Sequence, residues 1–100
     1  MIIIPAFAGA TNVEEINISD KNGLPLDFAA TGVVSAKLFA GGSSINCSLG
    51  ANGKISFVPG DLNIKTMEHP AILKLYSVGD TAGKVVAGPG LPASILIKMN

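Results

Sequence analysis

Between residues 33 and 58 the chain alternates apolar and polar positions with a period of two, broken only at glycine-containing turns. The stretch reads VVSAKLFA, Gly41-Gly42, SSINCSL, Gly50-Ala51-Asn52-Gly53, KISFV. A two-residue Gly-Gly connection is a favoured hairpin turn because glycine accepts positive φ at both positions. That turn sets Leu38 opposite Ile45, Ala36 opposite Cys47 and Val34 opposite Leu49, each pair apolar on both sides. The other face pairs Lys37 with Asn46 and Ser35 with Ser48. A slip of one residue would destroy the match, so the pattern itself selects the register.

The next turn obeys the same rule. With Ala51-Asn52-Gly53 as a three-residue loop, Gly53 falls at the left-handed position, Leu49 meets Ile55 and Cys47 meets Phe57. One face of this meander is then core: Val34, Ala36, Leu38, Ile45, Cys47, Leu49, Ile55 and Phe57. Upstream, a loop of Lys21-Asn22-Gly23 predicts a hairpin that pairs Ile18 with Leu26 and Ile16 with Phe28. Pro25 has no N–H to donate and belongs at an edge or an outward position. Downstream, Pro59-Gly60-Asp61 is a turn, and residues 61–69 hold the weak candidate for one helical turn. AILKLYSV places Ala71, Leu73 and Leu75 on one side, with Lys74 and Tyr76 on the other. Asp80-Thr81-Ala82-Gly83 reads as a turn before a short KVVA strand, and Gly88 to Pro92 as a stiff loop. SILIKM then closes the chain with Ile95, Ile97 and Met99 on one face. The expected fold is all-β: an immunoglobulin-like antiparallel β-sandwich of about seven or eight short strands.

Composition narrows the picture further. One hundred residues with 48% hydrophobic content suit a single domain with its own core. Residues 11–100 are expected to form that domain. Residues 1–10, nearly all apolar, are expected to form an edge strand cut off at Pro5, or an arm that docks on a neighbouring subunit. The apolar start lacks a basic n-region and is short for a signal peptide, so none is expected. No apolar run reaches transmembrane length. Net charge is zero, and all seven cations are lysines spread evenly along the chain. No basic cluster or arginine fork suggests a nucleic-acid partner. Weak charge gives little colloidal repulsion, which suits life in an assembly.

Candidate chemistry is sparse. The single histidine, His69, lies between Glu68 and Pro70 and reads as a loop residue, with no nucleophile or orienting carboxylate placed beside it. One His and one Cys cannot make a zinc site, and Cys47 reads as core packing. Asp20, Asp61 and Asp80 read as turn caps, and no Asp-rich loop offers calcium ligation. Pro89 removes an N–H that a phosphate loop would need. The expectation is no enzyme, with no catalytic, cofactor or metal residue.

One succession of residues resembles a known group. It runs through the Asp20-Lys21-Asn22-Gly23-Leu24-Pro25-Leu26 turn, Ala36-Lys37-Leu38-Phe39, Gly53-Lys54-Ile55-Ser56-Phe57-Val58-Pro59 and Ile72-Leu73-Lys74-Leu75-Tyr76. This is similar to small immunoglobulin-like domains of tailed-phage virion proteins, among them baseplate upper proteins and capsid decoration or cement proteins. The likeness spans roughly residues 12 to 80 and departs from antibody domains, whose Cys…Trp…Cys core is missing. It implies a structural protein of a virion, assembled in the host cytoplasm, that binds capsid or tail subunits and forms a homo-oligomer. The residues expected to make contact are Ile2, Ile3, Ile4, Pro5 and Phe7, the loop residues Gly88, Pro89, Leu91 and Pro92, and Phe39, an aromatic on an otherwise polar face. The alternative is a free-standing glycan- or protein-binding module, for which Tyr76 alone is a thin stacking platform.

Overall fold

The Gly41-Gly42 turn forms as its sequence dictates, with φ of 57° and 81°. Around it β3 (Val33–Ala40) and β4 (Ser43–Leu49) pair Ala36 with Cys47, Lys37 with Asn46 and Leu38 with Ile45, the register that the alternation predicts. This is a computed structural model, which describes residues 1–20, 22–91 and 93–100. The remaining strands are β1 (Ile2–Ala6), β2 (Glu14–Asn17), β5 (Lys54–Phe57), β6 (Glu68–Ser77), β7 (Asp80–Ala87) and β8 (Ile95–Met99). A single helical turn, α1 (Phe28–Thr31), and two 3-10 turns at Ala51–Gly53 and Pro59–Asp61 complete the described elements. The fold is all-β, with eight strands among the described residues.

The strands follow one continuous path, β1-β8-β6-β3-β4-β5-β2, with β7 beside β6. The path's two end strands, β1 and β2, are neighbours along the chain. The sheet therefore curls back toward its own start, closer to a barrel than to the two separate layers expected from sequence. Strand β6 is the hub: β3 runs along one edge, while β8 and β7 share the other edge end to end. One pairing is parallel rather than antiparallel, β1 with β8, matching Ile2 to Ile95 through Ala6 to Met99.

Inward residues from this path build one core, with Leu38, Ile55, Leu73 and Ile97 fully buried and Ala36, Phe57, Leu75, Ile95 and Met99 nearly so. Ile45, Cys47 and Leu49 of β4 are half-buried against it. Val34 departs from expectation. Val33 pairs with Ser77 and Ser35 with Tyr76, so Val34 is the extra residue of a β-bulge. The bulge turns Val34 out to 62% exposure, packs Val33 against the core instead, and ends the β3–β4 ladder at Ala36↔Cys47.

Four other expectations are corrected by long-range pairing. The 16–28 hairpin shrinks to the single bridge Ser19↔Pro25, beside the Leu26 N–H donating to Ile18 O at 2.9 Å. Ile16 pairs with Ile55 of β5, and Phe28 starts α1, whose N-cap Asp27 accepts from the Ala30 N–H at 3.1 Å. Lys21 of the expected loop lies outside the described residues. The helical turn placed at 61–69 is instead the 3-10 turn Pro59–Asp61, and residues from Glu68 onward are strand. The Asp80–Gly83 turn falls two residues earlier, at Val78-Gly79, because Ser77 pairs with Asp80. Finally, Pro5 does not cut off the N-terminal strand. β1 lies at the end of the path, and its residues Ile4 and Ala6 enter the core.

Candidate interaction surface

Cross-strand partners share a face, so the ladders fix which side chains look outward. On the side of β1, β8, β6 and β3 away from the core, Ile3 pairs with Leu96 and Leu96 with Pro70. One row along, Ile72 pairs with Phe39. Val85, opposite Lys74, extends this surface onto β7. Ile3 is 60% exposed, Val85 40% and Ile72 36%. Phe39 is half-buried, with Lys74 Nζ 5.3 Å from its ring centroid. The two apolar rows are bounded by charge. Beyond Pro70 stand Glu68 and Lys98, a cross-strand pair, and beyond Ile72 stand Lys74 and Lys37.

The residues expected to make contact separate on this map. Ile3 and Phe39 lie on the outer face, with exposed Pro5 one row beyond Ile3. The Gly88 loop joins them, since a Cβ on buried Gly88 would lie 3.5 Å from Ile72 Cγ1 and 3.7 Å from Val85 Cγ1. Pro89 and Leu91 of that loop are exposed. Pro92 lies outside the described residues. Ile4 is corrected: at 4% exposure it belongs to the chain's own core and cannot meet a neighbour. Ile2 pairs with inward-facing Ile95, on the opposite side of the strand from Ile3, and is 41% exposed. Phe7 is exposed but sits in the turn from Phe7 to Ala10, which docks on Gly60 through the Gly9 N–H donating to Gly60 O at 2.9 Å.

Sequence reasoning missed Pro70, Ile72, Val85 and Leu96. The signal was present in the unbroken apolar runs Pro70-Ala71-Ile72-Leu73 and Ile95-Leu96-Ile97. A strand with apolar residues on both parities has two apolar faces, and only one of them can line this core.

Elsewhere the chemistry is that of packing. His69 is a strand residue, not a loop residue: it pairs with Ile97, is 9% exposed, and its Nε2 lies 2.8 Å from Lys65 O. A carbonyl only accepts, so the ring donates there. Its Nδ1 side faces the β3–β4 turn, where a Cβ on Gly41 would approach within 2.9 Å of Nδ1 and 2.7 Å of Ile64 Cγ2. Burial pushes the Cys47 thiol up from 9.0 to about 11, only partly offset by a backbone hydrogen bond at Leu38. Tyr76 packs its ring over Gly83, where a Cβ would sit 2.6 Å from the ring, so that side of the ring is covered. A cleft of about 680 Å³ lies between α1 and the β4–β5 turn, walled by Leu26, Phe28, Val33 and Leu49. Among its described lining residues only Asp27 is ionisable, and that carboxylate already caps α1. No group of three or more His, Cys, Asp or Glu gathers among the described residues. No helix among them is long and apolar enough to cross a membrane.

No family model, curated protein or solved structure matches this chain.

Proposed function

We propose that this chain is a non-enzymatic structural protein that binds neighbouring subunits of an assembly through the outer face of β1, β8, β6 and β3. The observation that carries the reading is the continuity of that face: Ile3, Leu96, Pro70, Ile72 and Val85 adjoin across four strands. A contiguous exposed apolar patch is the feature that marks interaction surfaces, whereas scattered apolar residues mark nothing. The assembly proposed is a viral particle, with this chain as a decoration, cement or assembly component on capsid or tail subunits, put together in the host cytoplasm. That part rests on the resemblance of residues 12–80 to virion domains.

The test compares wild type with Ile3→Asp and Ile72→Asp by identifying what co-purifies with each. Both positions are surface positions, so folding is checked by circular dichroism and is expected to persist. Capsid or tail subunits should accompany wild type and be lost from both variants. Particle subunits that bind the variants as well as wild type would refute the role of this face. Glycan binding by an isolated monomer, with no particle subunit bound, would replace the reading by that of a free-standing module.

A further inference from the structure

We infer that Asn22 is a site of spontaneous covalent modification, in which its side-chain amide closes onto the Gly23 nitrogen and leaves an isoaspartyl or aspartyl residue. Asn52, in a second Asn-Gly dipeptide, is protected from the same reaction by the fold. The modification does not depend on the outer face of β1, β8, β6 and β3, on which the proposed function rests.

The chemistry needs only water. The Gly23 nitrogen loses its proton to solvent and bonds to Asn22 Cγ, the Cγ–Nδ2 bond breaks, and ammonia leaves with a proton taken from solvent. Water then opens the cyclic imide, at Cγ to give aspartate or at the main-chain carbonyl to give isoaspartate. Nothing is oxidised or reduced. A side chain on the following residue shields the attacking nitrogen, and glycine has none. Asn12, Asn17 and Asn63 precede Val13, Ile18 and Ile64, whose branched side chains crowd it. Only Asn22 and Asn52 precede glycine.

Ring closure also requires the Asn-Gly peptide to turn until its nitrogen reaches Cγ. At Asn52 the fold resists. Asn52 is itself exposed, but Gly53 is buried, and a Cβ there would collide with Ile18 O and lie 3.0 Å from Leu26 N. Gly53 O accepts from the Ile18 N–H at 2.8 Å, and the Lys54 N–H donates to Ala51 O. Turning the peptide drags Gly53 from this slot and breaks a bond between distant parts of the chain. At Asn22 nothing comparable stands in the way. Asn22, Gly23 and Leu24 are exposed, and a Cβ on Gly23 would meet nothing within 4 Å. The Gly23 N–H donates to Asp20 O at 3.0 Å and the Asn22 N–H to Asp20 Oδ1 at 2.8 Å, so the bonds to be released stay within the turn. Surface turns open locally at little cost, whereas packed backbone opens only with the structure around it. The product carries a new carboxylate, which takes the net charge from zero to −1. Its isoaspartyl form adds a methylene to the main chain inside the bond from the Asp20 N–H to Leu24 O, 2.7 Å long in the unmodified turn.

The experiment ages the full chain at mildly alkaline pH, folded and in urea, and follows each asparagine by peptide mapping for a mass gain of about 1 Da. In the folded protein Asn22 is expected to convert at least about tenfold faster than Asn52. In urea, where both turns are lost, the two rates are expected to agree within about threefold. Isoelectric focusing of the aged folded protein should show an acidic species that Asn22→Gln abolishes, because glutamine must close a larger ring. Circular dichroism checks that the variant is folded. Asn22 converting no faster than Asn52 in the folded protein overturns the inference, as does an acidic species undiminished in Asn22→Gln. A difference of the same size in urea overturns it too, since the fold would then not be what protects Asn52.

Discussion

Replacing Gly60 with alanine isolates one long-range contact with unusual clarity. Gly60 lacks the positive φ that would penalise a side chain, so alanine is acceptable to the backbone itself. The obstacle is steric. A Cβ there would collide with Ala10 O and lie 2.8 Å from both Ala10 N and Phe7 O. All three are backbone atoms, which cannot swing aside as a flexible side chain would. The turn from Phe7 to Ala10 must lift, and the Gly9 N–H to Gly60 O bond breaks with it. Losing one backbone hydrogen bond costs about 1 kcal/mol, and overpacking of this kind about 1–3 kcal/mol. The reduced freedom of the unfolded chain returns about 0.4–1 kcal/mol. The expected loss is about 1 to 3.6 kcal/mol, or at least about 4 °C in Tm for a domain of this size. Urea unfolding followed by far-ultraviolet circular dichroism measures it, with an unchanged m-value confirming that only stability has moved. Gly79→Ala is the control, because Gly79 also lacks positive φ but faces open space. It should be neutral or stabilising by up to about 1 kcal/mol. Equal stability of the two variants would refute the docking of the N-terminal turn on Gly60.

Two further outcomes follow from packing and burial. Val33→Ala should destabilise by about 1 kcal/mol, whereas Val34→Ala should stay within about 0.5 kcal/mol; a larger effect at Val34 in urea unfolding would contradict the bulge. Cys47 should alkylate about 100-fold more slowly than a free thiol at pH 8, since its pKa lies near 11 rather than 9.0. The raised value means that its contribution to stability is full below pH 9 and lost as pH rises from 9 toward 11. Cys47→Ala should flatten that part of the pH–stability curve, and an unchanged slope would show that the thiol is not desolvated in the fold.

The face of the chain that lines the core was legible wherever neighbouring strands joined through short turns. Ala36↔Cys47, Leu38↔Ile45 and Leu49↔Ile55 are set by local rules: alternation, and glycines that accept positive φ. The same local rules misread the 16–28 hairpin. Its single bridge keeps the expected offset, but Ile16 gains more by joining Ile55 of β5, and Asp27 offers Phe28 a helical start. His69 was misplaced for a related reason. Glu68, His69 and Pro70 are poor strand formers, yet β8 arrives alongside and pairs all three. Of the expected contact residues, Ile3 and Phe39 share a face, while Ile4 turns into the core one residue away from Ile3.

By itself the sequence determined the all-β class, the Gly41-Gly42 and Ala51–Gly53 turns, and the inward residues Ala36, Leu38, Ile55, Phe57, Ala71, Leu73, Leu75, Ile95, Ile97 and Met99. Those properties depend on residues a few positions apart, so alternation and turn chemistry suffice to express them. Tertiary structure alone decided that β1 lies parallel to β8, that Val34 bulges outward and that the path curls toward a barrel. It also decided that Ile3, Leu96, Pro70, Ile72 and Phe39 meet on one surface, flanked by Glu68 and Lys74. These residues come from opposite ends and the middle of the chain. Their meeting is set by which strands pair across long loops, a choice made by burial of the whole core rather than by any local stretch.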